Sequence, residues 1–342
     1  MGASVADKFL ATHNLLDVGR GKCFTLKVKF REMAMDHFDV AIIGGGIGGS
    51  ALAGYLARAG QSVLLLERST DFTDRVRGEW MAPWGVAELK RLGLYDRFLN
   101  AGGHHVTRNI GYDELLSQAE AESQTIALDQ LHPEVPGPLC MQHVVMQSEA
   151  ITWAAESGAT VLRDASAVEF KAGPSPGVQY KLNGAKHEAT CRIIVGADGR
   201  TSAVRRQLDL HMEEAPLDHL IVGLLLDDVE GWPDDLQCIG KFDDLHYLVF
   251  PQGNGKVRIY ADYAYKGKAR FNGAEGAAEL LAAFDLPDVP NSQAIAQARP
   301  IGPCRSYPSQ DAWVDEPRAE GAVLIGDAAG YNDPILGQGL SV

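Results

Sequence analysis

The sequence predicts an α/β fold in which a parallel, doubly wound sheet is interrupted by a second, mainly antiparallel one. Three observations predict it. Val40 to Ile43 is a run of mostly branched apolar residues that breaks into glycines and then into apolar residues at helical spacing: Ile47, Ala51, Leu52, Tyr55 and Leu56. The same buried-strand pattern returns at 190–199 and at 321–327. Between those two returns lie short strands joined by tight turns, with Asn254-Gly255 as a hairpin signal.

Residues 1–36 precede the first strand and read as an upstream extension outside the fold, since they are neither poor in acids nor rich in serine as a transit peptide would be. After Val40–Ile43, the glycines at 44, 46 and 49 fit G-x-G-x-x-G. Gly44 permits the tight turn, Gly46 lets a pyrophosphate approach the backbone, and Gly49 lets helix and strand pack closely. The N–H groups at Ile47 and Gly48 then open a helix whose positive end faces the phosphates, and Gly60 is placed to cap its other end. A second strand, Ser62 to Glu67, ends in an acid 23 positions after Gly44, suited to a ribose diol, with Arg68 beside it. Strand, glycines, helix, strand and acid in that order define a dinucleotide site.

A polar loop, 69–80, follows with Arg75, Arg77 and Trp80. Gly85–Leu92 and Leu94–Leu99 read as short helices, with Gly93 capping the first. Residues 104–138 are irregular and strand-like, and Gln142–Ser157 is a helix ended by Gly158. Strands are expected at 160–170 and 177–182, then at 220–227, 236–242, 245–250 and 256–265, with a helix at 274–284 and a last strand at 299–307. The parallel-sheet domain is therefore expected to be discontinuous (37–108, 139–210 and 300–342), and 109–138 with 211–299 to form a second domain that holds the substrate.

Composition narrows the function classes. At 342 residues, 46% hydrophobic and 22% charged, the chain suits two ordinary globular domains. Its net charge of −14 argues against nucleic acid or an anionic membrane as partner. No run approaches the ~20 apolar residues that span a bilayer. Five scattered cysteines without a C-x-x-C pair point to a reducing cytoplasm and to no zinc site. His104 and His105 are adjacent, so an extended chain turns them to opposite faces and a metal is not expected. No G-x-S-x-G elbow supports serine hydrolysis.

Two further motifs complete a set of three. Asp198-Gly199-Arg200-Thr201-Ser202-Ala203-Val204-Arg205 fits D-G-x-x-S-x-x-R, and Gly326-Asp327-Ala328-Ala329 is followed by Pro334 and by Gly337-Gln338-Gly339. The set resembles the aromatic-hydroxylase family of FAD-dependent monooxygenases, over roughly Asp39 to the C-terminus. The resemblance implies a Rossmann-like FAD domain of the p-hydroxybenzoate hydroxylase type, one tightly bound FAD, NADH or NADPH as a transient reductant, and insertion of oxygen into a small apolar, aromatic or unsaturated compound. It places Asp327 on a ribityl hydroxyl, although a plain helix cap is the alternative. Pro334 and Gly337 become a flavin-facing loop, and Gly337, Gln338 and Gly339 open a helix whose N–H groups stabilise reduced flavin. Asp198 and Arg205 link FAD and nicotinamide handling, or else form a cap and a structural ion pair. Arg77 lies over the flavin or its phosphates, or is a solvated loop charge. Gln147 lies beside the cofactor on its helix, and His143 stands near where many relatives have arginine. The chain departs from the pattern at Gly330, where many relatives carry histidine.

Rival functions are an FAD-dependent reductase or dehydrogenase of the same fold, resembling the prenyl-chain reductases, and a flavin-binding fragment without turnover. Val342 comes three residues after Gly339, so the expectation is a C-terminally truncated piece of a longer protein. Extending the reading frame and comparing FAD per chain tests it.

Overall fold

The structure, a computed structural model, describes residues 36–341. The extension expected at 1–36 therefore lies outside the described residues, except that Asp36 already belongs to the first strand.

That strand, Asp36–Ile43, sits at the centre of a parallel sheet. Val63–Leu66 pairs on one side of it and Ala185–Gly196 on the other, with Thr160–Leu162 and Ala322–Leu324 added outside these. The strands are apolar on both faces because both faces are covered. Val40, Ile42, Val63 and Leu65 meet Ala53, Ile151 and Ala154 of the helices Ile47–Arg58 and His143–Glu156. Ala41, Ile43, Leu64 and Leu66 face the opposite core, with Val178, Tyr180 and Val204. The two helices approach closely at Gly54, where a Cβ would fall 2.1 Å from the Trp153 ring.

The second sheet contains His219–Asp227, Lys256–Ala264, Leu245–Gly253 and Leu236–Phe242 in that order, all antiparallel. Arg305–Ser309 joins its edge beside His219–Asp227, and Arg108–Ile110 pairs in parallel with Leu236–Phe242. Asn254 and Gly255 take positive φ, 56° and 72°, as the tight hairpin requires. Alternation divides the strands cleanly. Val222, Leu224, Val249 and Ile259 pack under the helix Gly273–Ala283, whereas Ile221, Leu248, Phe250 and Tyr260 turn the other way and meet Val76, Trp80 and Ile335.

Several local expectations change. The stretch 104–138 holds a helix, Gln118–Ser123, closed by a capping box between Ser117 and Glu120. The strand expected at 160–170 splits into Thr160–Leu162 and Ser166–Lys171, with Asp164 between them at φ 60°. The strand expected at 190–199 starts earlier, at Ala185, because its first half pairs with Gly177–Leu182. No helix opens at Gly337 among the described residues: Pro334–Leu336 is a short 3₁₀ turn, and Gly337 at φ 66° leaves the helical path.

Candidate functional site

The glycine turn has two open positions and three closed ones. A Cβ at Gly44 would lie 2.3 Å from the Ala197 carbonyl oxygen, one at Gly45 2.9 Å from Cβ of Glu67, and one at Gly49 2.1 Å from the Gly44 carbonyl oxygen. At Gly46 and Gly48 a Cβ would meet nothing within 4 Å. The helix beginning at Ile47 has no side-chain cap and no acid in its first turn. First-turn N–H groups have no acceptor inside a helix, and here an open glycine face gives access to them. The turn is thus an open cradle lined by backbone N–H groups. Glu67, 7% exposed, closes it from the second strand. Its Oε2 accepts from Gly45 N–H at 2.7 Å and its Oε1 from Ser69 N–H at 2.7 Å. A carboxylate oxygen has more than one lone pair, so each remains able to accept from a ribose hydroxyl. Ile47 is half-buried and Arg68 exposed.

The second and third motifs are stitched to each other. Ser202 is the N-cap of the short helix Ala203–Gln207, accepting from Arg205 N–H at 2.9 Å, and Asp198 supports it, accepting from Ser202 Oγ, from Ala203 N–H at 2.6 Å and from Val204 N–H at 3.2 Å. Arg205 donates to the carbonyls of Ala328 at 3.0 Å and Arg200 at 2.8 Å. Asp327 caps nothing; its Oδ2 takes Nε of Arg200 at 3.3 Å. The Arg200 guanidinium stands 4.3 Å from the Tyr331 ring centre and 5.7 Å from that of Tyr307. Sequence reasoning overlooked Arg200, although an arginine inside the second motif was a visible signal.

The loop after the second strand brings Arg77 to the same place. Arg77 is half-buried, and its pKa is lowered first by burial and then by the nearby charge of Arg200, with Asp327 opposing. His143 opens the neighbouring helix, walled in by protein but still reached by water. Its Nδ1 bonds the Gly78 carbonyl at 3.0 Å, so that nitrogen carries the proton and Nε2 is left as an acceptor. Burial lowers the pKa of His143 to about 4, with the Gly78 hydrogen bond opposing, and the ring is neutral at pH 7. One turn further on, Gln147 is half-buried.

The C-terminal segment lies against the start of the helix Pro83–Leu92. A Cβ at Gly337 would come within 3.1 Å of the Trp80 ring, while Gly339 faces open space. Trp84 Nε1 donates to Gln338 Oε1 at 3.1 Å, and Ala82 N–H donates to Ser341 Oγ at 3.0 Å. Asp333 caps the turn of Pro334, accepting from Ile335 N–H at 3.0 Å and from Ser309 Oγ of the second sheet at 2.6 Å. The structure thus gathers the charged Arg77, Arg200 and Asp327 and the neutral His143 into one polar cluster and sets Pro334–Gly339 beside Trp80. Arg68 lies outside that cluster, and Asp198 is turned to its own helix.

A family profile described as an FAD binding domain matches residues 37–342. The chain belongs to that family. Squalene epoxidase 3 of Arabidopsis thaliana is 29% identical over 314 residues, covering 89% of this chain and 57% of that protein. Squalene monooxygenase of Mus musculus is 25% identical over 314 residues, 89% of this chain and 52% of that protein. The FAD-binding chain therefore spans little more than half the length of these curated relatives. Among solved structures, p-nitrophenol 4-monooxygenase PnpA from Pseudomonas putida DLL-E4 superposes with a TM-score of 0.73 at 18% identity, over 90% of this chain and 78% of that one. The expected α/β architecture, a Rossmann-like FAD domain with an inserted antiparallel sheet, is the one observed.

Proposed function

We propose that this chain is the FAD- and substrate-binding part of a monooxygenase that uses NADH or NADPH and oxygen to hydroxylate or epoxidise a small apolar compound. One observation carries the reading. The second sheet turns Ile221, Leu248, Phe250 and Tyr260 toward Trp80 and Ile335, so an apolar, aromatic wall adjoins the segment Pro334–Gly339 next to the Asp327 cluster. Relatives named for epoxidising squalene support an apolar, unsaturated substrate. Aromatic substrates fit the same wall through ring stacking.

Bound FAD would accept two electrons from the nicotinamide and activate oxygen; the protein supplies position and dryness. In this reading, N–H groups at Ile47, Gly48 and Gly49 hold the pyrophosphate, and Glu67 holds the adenosine ribose. Asp327, oriented by Arg200, accepts from the ribityl chain. Arg77 adds positive charge to the cofactor side of the cleft, and neutral His143 and Gln147 offer hydrogen bonds from the adjoining helix. Gly337, Gln338 and Gly339 leave room for the flavin edge, with Pro334 fixing the bend. Asp198 and Arg205 act from behind by holding Arg200 and Ala328 in place. The division into an FAD domain (37–108, 139–210, 300–342) and a substrate domain (109–138, 211–299) belongs to the same proposal. A cytoplasmic location suits the buried free thiols Cys140, Cys191, Cys238 and Cys304. No helix among the described residues is long and apolar enough to cross a membrane.

The experiment is incubation with NADH or NADPH, labelled dioxygen, and a panel of phenols and linear alkenes. One labelled oxygen atom in the product is expected, together with faster nicotinamide oxidation when that compound is present. Nicotinamide oxidation that yields only unlabelled, reduced product would instead make the chain a reductase of the same fold.

A further inference from the structure

Arg258 sits in the middle of the strand Lys256–Ala264 at 0% exposure, among apolar neighbours. A cation there must be paired. Its Nε donates to Glu79 Oε2 at 2.8 Å, and its Nη2 donates to Glu79 Oε1 at 2.9 Å and to Asp74 Oδ2 at 2.8 Å. Burial is the largest influence and works against the charge on Arg258, but Glu79, Tyr260 and Asp74 together outweigh it and the pKa ends raised. Both acids belong to the loop that carries Arg77. Asp74 Oδ1 accepts from Val76 N–H at 2.7 Å, and Glu79 Oε1 accepts from His143 N–H at 3.1 Å. Tyr260, two residues along from Arg258, donates its hydroxyl to the Arg77 carbonyl at 2.7 Å.

The loop so held is strained. Val76 has φ 56°, which a β-branched residue rarely adopts. Its side chain fills a notch at Gly223 in the neighbouring strand, where a Cβ would lie 2.5 Å from Val76 Cγ1. Strain of this kind persists only where the surroundings over-determine it, and it collects at functional sites. The network is not built for stability alone. Apolar residues of similar volume often serve as well as a buried ion pair, and Nη1 of Arg258 is buried without a partner. What the guanidinium fork adds is registry: it fixes two loop residues and, through Glu79, the start of the His143 helix.

We propose that Arg258, with Asp74 and Glu79, is a positioning residue that clamps the loop onto the second sheet and aims Arg77 into the FAD site. The role of Arg77 rests on the FAD reading above; the clamp itself does not.

The test is a double-mutant cycle. FAD affinity, from flavin fluorescence, is measured for R77A, for the paired R258M/E79M, and for all three substitutions together. Backbone hydrogen exchange at 76–78 is measured without FAD. Coupled sites give non-additive losses. The paired variant should bind FAD about tenfold more weakly, and should bind no more weakly than R77A once R77A is also present. Exchange at 76–78 should quicken about tenfold while Val257 and Ile259 stay protected. Losses that simply multiply in the triple variant, or unchanged exchange at 76–78, overturn the clamp. If R77A alone leaves FAD affinity unchanged, the placement of Arg77 at the cofactor is what fails, and the exchange result still decides the clamp. Should the paired variant not fold, Tyr260→Phe removes only the hydroxyl on the Arg77 carbonyl and is judged by the same outcomes.

Discussion

Gly46 and Gly49 do opposite work three residues apart. Gly46 leaves the face of the turn open, and Gly49 lets the protein close on itself. Gly46→Val should leave the melting temperature of the ligand-free chain nearly unchanged, since a Cβ there meets nothing within 4 Å. Its branched side chain would occupy the cradle and weaken FAD by about 1.4–2.8 kcal/mol, about tenfold to a hundredfold. Gly49→Ala should instead destabilise the chain itself by about 1–3 kcal/mol, because its Cβ would lie 2.1 Å from the Gly44 carbonyl oxygen. Thermal melts and FAD titrations of the two variants check the contrast. His143 gives a pH dependence. Its folded pKa, lowered from 6.5 to about 4, means the unfolded chain binds this proton more readily. Stability present above pH 6.5 is therefore lost progressively as pH falls toward 4, and nothing further is lost below that. In His143→Gln the denaturation midpoint should fall less between pH 7 and pH 4.5 than in the parent chain. An equal fall in both would show that the imidazole does not titrate as described.

At the scale of elements, the contact between the helices Ile47–Arg58 and His143–Glu156 depends on one missing side chain. Gly54→Ala should cost about 1–3 kcal/mol and shift the emission of Trp153, whose ring lies where the new Cβ would go. Elements with a strong period were legible in the sequence. The buried strands, the glycine-turn helix, the Asn254-Gly255 hairpin and the resumption of the first sheet at Ala322–Leu324 all follow from local pattern. The short helices Gln118–Ser123 and Ser292–Ala296 did not, since over so few turns a period shows only weakly. The break at Asp164 also escaped, since a left-handed aspartate leaves no mark in hydrophobicity. Of the site, the turn and Glu67 were legible because both chemistry and spacing are local. The clamp was not. Glu79 and Arg258 are 179 positions apart, and the only clue was one cation in the otherwise apolar run Val257, Ile259, Tyr260, Ala261.

Across the whole molecule, the cofactor should act as a stabiliser, because the cradle, Glu67 and the Asp327 cluster come together only in the folded state. FAD at a hundred times its dissociation constant should add about 2.7 kcal/mol and raise the melting temperature by several degrees. FMN, which lacks the adenylate that Glu67 would hold, should raise it far less; equal shifts would argue against the ribose role of Glu67. The order of the strands has another consequence, on the ribosome. Ile194 to Gly196 pair on one side with the first strand, but their other neighbours, Ala322–Leu324, are made only after the entire second sheet. At ordinary elongation rates of about 5–20 residues per second, that edge stays bare for on the order of ten seconds. A bare apolar edge is a template for strands of other chains. Yield in a cell should then follow synthesis speed and chaperone supply more closely than the final melting temperature.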